Sequence, residues 1–295
     1  MNFVKFTQNN DNSVFSIIIP TWNNLDYLKL CVESIRKNSS FNHQIILHIN
    51  EGIDGTKEWA EKEKIDYTHS TENVGICIGV NAAAQLALAD YIVYMNDDMY
   101  VCQNWDKYLF EEIEQQKDDL FFFSSTLIEP KFTKNSCVLA PFNFGNNPQD
   151  FEEEKLLEYC KTNNSKDWYG ATWPPNIISR KNWNLVGGFS IEFSPGMYSD
   201  PDFSMKLWQL GIRNFKGVGK SLVYHFMSKS TSKLKKNKNR KGRKIFLDKW
   251  EITPKVFYKY YLKMGELYNG ILNEPKIDFK LKTLLLFCKL KKILK

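Results

Sequence analysis

The chain has 295 residues, 43% of them hydrophobic, which is enough to bury one large core or two modest ones and excludes a disordered chain. Its six cysteines, Cys31, Cys77, Cys102, Cys137, Cys160 and Cys288, include no Cys-x-x-Cys pair, which excludes a zinc ribbon and a dense disulfide framework and fits a reducing compartment. The formal charge of +6 is uneven: nine Lys or Arg lie within residues 229–244 and seven Lys within 276–295, against an acidic first half, so an anionic surface or acceptor is expected at the C-terminal third. The first ten residues lack the apolar core of a signal peptide, and no run of about 18 apolar residues exists, so a cytosolic chain is expected.

Residues 14–19 are apolar and β-branched and stop at Pro20, which reads as a buried strand. A helical pattern over 25–36 follows, then a strand at 44–49, a turn at 52–55 and a helix from Thr56. Strands at 67–70 and 91–95 bracket a helix over 78–88, and a helix over 105–115 precedes an apolar run at 120–124. This alternation predicts βαβ units around a mainly parallel α/β sheet with helices on both faces. Ligands of such sheets bind beyond the carboxyl ends of the strands, so 20–23, 50–54, 71–75 and 96–100 are the loops to watch. Through about residue 170 the prolines and glycines predict irregular structure with acceptor contacts; a helix over 202–210 and a strand at 221–224 come next.

The strongest local signal is the strand 91–95 delivering Asn96-Asp97-Asp98 to its carboxyl end. Mg²⁺ and Mn²⁺ prefer one or two carboxylates together with phosphate oxygens, so this triplet suits a metal-diphosphate site; a solvated or helix-capping loop is the alternative. Trp168, Tyr169, Trp173 and Trp183 either stack on a sugar or fill the core, with Trp173 beside Pro174-Pro175 the best acceptor candidate.

The chain resembles the family 2 glycosyltransferases over roughly residues 14–230. Residues 16–23, Ser-Ile-Ile-Ile-Pro-Thr-Trp-Asn, look like that family's opening strand and turn. Ile53-Asp54-Gly55-Thr56 is similar to its Asp-Gly-Thr segment, and Asn73-Val74-Gly75 with Gly79-Val80-Asn81 resembles the stretch near the nucleotide. The resemblance implies a GT-A, Rossmann-like fold and an inverting, metal-dependent transferase acting on a UDP-, dTDP- or GDP-sugar. It implies Pro20, Thr21, Asn23, Asn50, Glu51, Asn73, Gly75, Asn81, Asn96 and Asp97 at the donor, with Asp98 and His225 on Mn²⁺ or Mg²⁺. Two departures stand out: Asn50 and Glu51 occupy the register of the uracil-reading Asp, and Asn96 replaces the first acid of the Asp-x-Asp motif.

Gly187-Gly188-Phe189, followed by Asp200 and Asp202, resembles the family's Gly-Gly-Phe segment and its acidic pair. The resemblance implies Asp200 as catalytic base and Gly188 near the acceptor; Asp202 is either an acceptor contact or a helix N-cap. It implies a catalytic domain over 1–228, with donor binding at about 14–125 and acceptor and base at about 126–228, before a basic, largely helical extension at 229–295. The acceptor would be a glycan or lipid-linked hydroxyl in surface polysaccharide or glycan assembly, with no nucleic acid expected.

In that extension Phe279, Leu286, Phe287, Leu290, Ile293 and Leu294 share one helical face opposite Lys282, Lys289 and Lys292, which suits either an anionic membrane or docking on the domain. The competing functions are a metal-dependent nucleotidyltransferase and a non-catalytic binder of anionic surfaces or nucleic acid.

Overall fold

A computed structural model describes residues 1–8, 12–227 and 236–293. Part of the basic run, at 228–235, and Leu294 of the amphipathic face lie outside the described residues.

The order begins β1 (Asn2–Val4), β2 (Phe15–Trp22), α1 (Leu25–Asn38), β3 (His43–Asn50), α2 (Thr56–Lys62), β4 (Asp66–Ser70), α3 (Gly75–Ala84) and β5 (Tyr91–Tyr94). It continues with β6 (Met99–Val101), α4 (Trp105–Glu114), β7 (Phe121–Ile128), β8 (Val138–Leu139), α5 (Glu153–Thr162), β9 (Trp168–Tyr169), β10 (Asn176–Ser179), α6 (Arg180–Leu185), α7 (Ser199–Gln209) and β11 (Asn214–His225). The chain then runs through α8 (Lys236–Trp250), α9 (Pro254–Val256) with the wider turn Phe257–Tyr261, and α10 (Phe279–Ile293).

One α/β sheet orders these strands β1-β4-β3-β2-β5-β10-β7-β11-β6. The half from β4 to β5 is parallel, as the alternation predicts. The other half is mixed, because β10 inserts antiparallel between β5 and β7 and β6 runs antiparallel to β11. Apolar side chains of successive strand residues feed opposite faces: Ile17 and Ile19 enter one cluster with α1 and α4, Ile18 and Ile46 the other with α3 and α7.

Several elements differ from expectation. Pro20 does not end its strand: β2 pairs with β3 as far as Trp22, whereas its pairing with β5 covers only Phe15 to Ile18, so Pro20 sits where one side of the strand has lost its partner. The α3 helix starts at Gly75 and α7 at Ser199, each three residues earlier than the periodicity suggests. The stretch expected to be irregular holds α5, a helix with only Leu156 fully buried, whose thin apolar stripe left little pattern to read.

The C-terminal extension shares a core with the preceding domain, since Phe246, Leu247, Phe257, Leu262 and Leu281 join the cluster of Phe203, Trp208 and Phe215. On α10, Leu281 and Cys288 dock, while Phe279, Leu286, Phe287 and Leu290 stay exposed, so the face that the wheel singled out is the one turned outward. Among the described residues no helix is long and apolar enough to cross a membrane.

Candidate active site

Three parallel strands end side by side, and much of the polar sequence beyond them braces the loops. Asn50 is 4% exposed; its amide donates to the Thr21 carbonyl (3.2 Å), and its oxygen accepts the Val74 N–H (2.9 Å). Asn23 donates to Glu51 (2.9 Å) and accepts the N–H groups of Gly52 and Ile53. Asn73 accepts the Gly75 N–H at 2.9 Å at the start of α3. These side chains were expected to hold the donor; in the structure the amides of Asn50, Asn23 and Asn73 satisfy backbone groups that loops would otherwise leave unpaired. Pro20 is buried within β2, and Gly75 is buried where Ile76 N–H donates to the Pro195 carbonyl (2.9 Å).

Asn81 pairs twice with the backbone of Phe189, donating at 2.7 Å and accepting at 2.8 Å, and so ties α3 to the Gly-Gly-Phe turn. Gly188 is buried there at φ 58°, and a Cβ on it would come within 2.3 Å of the Asn81 oxygen. Packing and positive φ both require the glycine there.

The acidic strand end is different. Antiparallel pairing of β6 with β11 sets Met99 opposite His225, and parallel pairing of β7 with β11 sets Ile128 beside Tyr224. Asp98, His225 and Glu129 are thereby brought together, with His225 Nε2 3.5 Å from Asp98 Oδ2 and Nδ1 3.0 Å from Glu129 Oε1. Burial alone would lower the His225 pKa, but the Asp98 and Glu129 carboxylates outweigh it and raise it to about 10. Asp97 is raised to about 7, first by burial and then by Asp98. The Thr21 hydroxyl and Asn24 amide lie close enough to favour its charged form, yet neither completes a hydrogen bond of good geometry.

This arrangement fits a divalent cation. Two ligands each about 2.1 Å from one ion sit about 3–3.5 Å apart, as Nε2 and Oδ2 do, and a carboxylate on the far ring nitrogen is the usual way a ligating histidine is oriented. Among the described residues no group of three or more His, Cys, Asp or Glu could hold an ion by itself, so oxygens of a bound diphosphate would have to complete the shell. Glu129 was not singled out from the sequence, although it follows the apolar run of β7 just as Asn96 follows β5. The remaining histidines are bonded within the fold: His43 to Asp106, His48 to Thr68 and His69 to the Glu51 carbonyl.

Asp200 lies in the first turn of α7, whose preceding residue Tyr198 has φ 72°. Its carboxylate has no hydrogen-bond partner among the described residues, and burial raises its pKa to about 7. It is partly reached by solvent yet enclosed by protein atoms. The charges of Asp200, Asp97 and Asp98 all reach Tyr94, which places the base candidate near the acidic strand end. The Tyr94 hydroxyl donates to the Asn96 side-chain oxygen at 3.1 Å.

Asp202 is neither a cap nor open to an acceptor. It is the fourth residue of α7, fully buried, and one oxygen accepts from Trp250 Nε1 (2.7 Å) and pairs with Lys249 (3.0 Å). Its job is to clamp α8 onto α7. Trp168, Tyr169 and Trp183 fill the core, whereas Trp173 is half-buried with its ring 5.9 Å from that of Tyr258 and lines an open cavity.

Comparison with known proteins bears on the family and the fold. Residues 16–166 match the glycosyl transferase family 2. The chain is 24% identical over 114 residues to glycosyltransferase GlyG of Streptococcus pneumoniae serotype 4, a match covering 37% of this chain and 38% of that one. It is similar in fold to residues 1–349 of S. aureus TarS in complex with UDP, with a TM-score of 0.51 and 18% identity over 71% of this chain and 59% of that chain. The UDP-GlcNAc complex of the same fragment gives a TM-score of 0.51 at 18% identity, covering 72% of this chain and 60% of that one. A longer TarS structure gives 0.53 at 13% identity, covering 94% of this chain and 43% of that chain. The chain therefore spans less than two thirds of each of these relatives, and the structural likeness concerns the fold. With the family matched over more than half its length and a GT-A arrangement of strands around the acidic triplet, the chain belongs to glycosyl transferase family 2.

Proposed function

We propose that this chain transfers a sugar from a nucleotide diphosphate sugar to an acceptor hydroxyl in one inverting displacement, with Asp200 as the base. The observation that carries the reading is an enclosed carboxylate with no hydrogen-bond partner among the described residues and a pKa raised to about 7, near the same Tyr94 as a strand end suited to a diphosphate. Ionised Asp200 accepts the acceptor's proton as the new bond to the anomeric carbon forms and the bond to the diphosphate breaks. One base and one displacement give inversion.

Thr21, Glu51, Asn96 and Asp97 are the groups left for donor contacts, Asn96 through its amide. Among the described residues Thr21 Oγ1, Trp22 Nε1 and Asn24 Nδ2 are buried without a hydrogen bond of good geometry, which supports a polar ligand at this end of β2. Asp98 and His225 would hold Mn²⁺ or Mg²⁺, with Glu129 fixing the imidazole, and the cation would neutralise charge on the leaving diphosphate. The UDP and UDP-GlcNAc complexes of TarS support a nucleotide-sugar donor.

The same reading sets the chain in the cytoplasm, assembling surface polysaccharide or another glycan. It rests peripherally on anionic membrane through the exposed Phe279, Leu286, Phe287 and Leu290, flanked by exposed Lys280, Lys282 and Lys289. The test is turnover of a panel of UDP-, dTDP- and GDP-sugars with Mn²⁺ and with chelator. Turnover of at least one donor that chelator suppresses is expected; no turnover of any donor would remove the reading.

A further inference from the structure

A cavity of about 1210 Å³ opens beside the Asp200 turn, with Trp173, Tyr198 and Tyr258 in its wall. Tyr258 and Tyr198 are electrostatic neighbours, and Tyr258 also feels Asp200, so this wall adjoins the base. Around the rim stand eight Lys or Arg side chains, among them Arg240, Arg243, Lys244, Lys255 and Lys263, against one carboxylate, Glu266. None of the eight has an ion-pair partner among the described residues, although Lys249, one turn on from Lys244, pairs with both Glu192 and Asp202.

The basic helix is held there by close packing. Gly242 of α8 lies against the 197–198 turn, where a Cβ would come within 2.5 Å of the Met197 carbonyl oxygen, and Arg243 donates to the Tyr198 hydroxyl with its guanidinium over the ring. Eight like charges kept together with one carboxylate among them repel one another, and an anionic ligand would relieve that cost. The cavity also exceeds the roughly 300–1,000 Å³ typical of a small-molecule site, which suits a chain of several units.

We infer that the acceptor is an anionic polymer: its charged backbone lies along the lysine and arginine rim, and Trp173 stacks on the unit whose hydroxyl is presented to Asp200. The inference rests on Asp200 being the base. Neutral glycans would lack the contacts to the rim, so acceptor choice follows charge before sugar identity.

The test is fluorescence anisotropy on the full chain with a labelled glycerol phosphate oligomer, a neutral maltooligosaccharide of similar length, and vesicles of phosphatidylglycerol. The phosphate oligomer should bind at least about tenfold tighter than the neutral one. Lys244→Ala/Lys255→Ala/Lys263→Ala should lose about tenfold of that affinity with an unchanged melting temperature, and the matching Lys→Arg variant should keep it. Equal binding of the neutral oligomer, or undiminished binding by the alanine variant, overturns the inference. So does binding to vesicles alone that depends on the three lysines, because the rim would then read a lipid surface. If the lysines govern oligomer binding but no nucleotide sugar is turned over by the unaltered chain, the assignment of Asp200 fails and the polyanion site remains.

Discussion

The two sides of the cleft are built on opposite plans. On the donor side the polar side chains mostly spend their hydrogen bonds on the chain itself: Asn23, Asn50 and Asn73 close loops, and Asn81 clamps a turn. On the side proposed for the acceptor the cations of the rim have no ion-pair partners, and Asp200 has no hydrogen-bond partner, among the described residues. A side chain satisfied within the fold contributes order, and one left unsatisfied is available to a ligand. The residues that most resemble a motif are therefore often scaffold, and chemistry falls to the few that the scaffold leaves over.

That contrast can be broken at several points. The largest loss should come from Asp98→Ala, which removes the proposed metal ligand at the strand end; transfer should fall about 10²–10³-fold with the fold intact by circular dichroism. Glu129→Gln keeps the shape but weakens the hold on His225, and half-maximal Mn²⁺ for activity should rise about 10–100-fold. Because Asp200 must be ionised to act and its pKa is raised to about 7, kcat/KM should drop about tenfold per pH unit below that value.

Stability should move the opposite way with pH. A buried carboxylate with a raised pKa costs the folded state nothing below the ordinary Asp range, and the cost grows as pH rises to about 7. Asp200→Asn should thus melt higher than the unaltered chain at pH 8, with the difference vanishing near pH 4. Asn81→Ala should cost about 1–3 kcal/mol of stability by leaving both Phe189 backbone groups unpaired, yet donor KM should stay put, as expected of a brace. The smallest effect is that of Phe287→Asp on the outer face of α10, which should lower retention on phosphatidylglycerol vesicles a few-fold and leave transfer in solution unchanged.

Much of the first half was legible because its signals are local. Each βαβ unit writes its own alternation and its own strand-end loop, and those loops carry the Asn-Asp-Asp triplet. The second half depends on long-range pairing. Nothing in the neighbourhood of Glu129 announces that it will orient His225, 96 residues away, because the link is made by the parallel register of β7 and β11. Likewise Asp202 looks like a cap until Lys249 and Trp250 arrive from α8. Gly188 resembles a site residue by motif, but its neighbour Asn81 comes from a helix 107 residues earlier, and only the packed structure shows that the glycine makes room for it. The outer face of α10 was readable as a pattern, whereas the face that docks, Leu281 and Cys288, was set by a core that the wheel cannot see.

The central claim is that Asp200 takes the acceptor's proton. It is tested most directly by comparing Asp200→Asn with the unaltered chain in single-turnover transfer at pH 8, with nucleotide affinity measured on the same samples. The account predicts a fall in turnover of about 10²–10⁴-fold with nucleotide affinity unchanged; turnover that survives the substitution at a similar rate would contradict it.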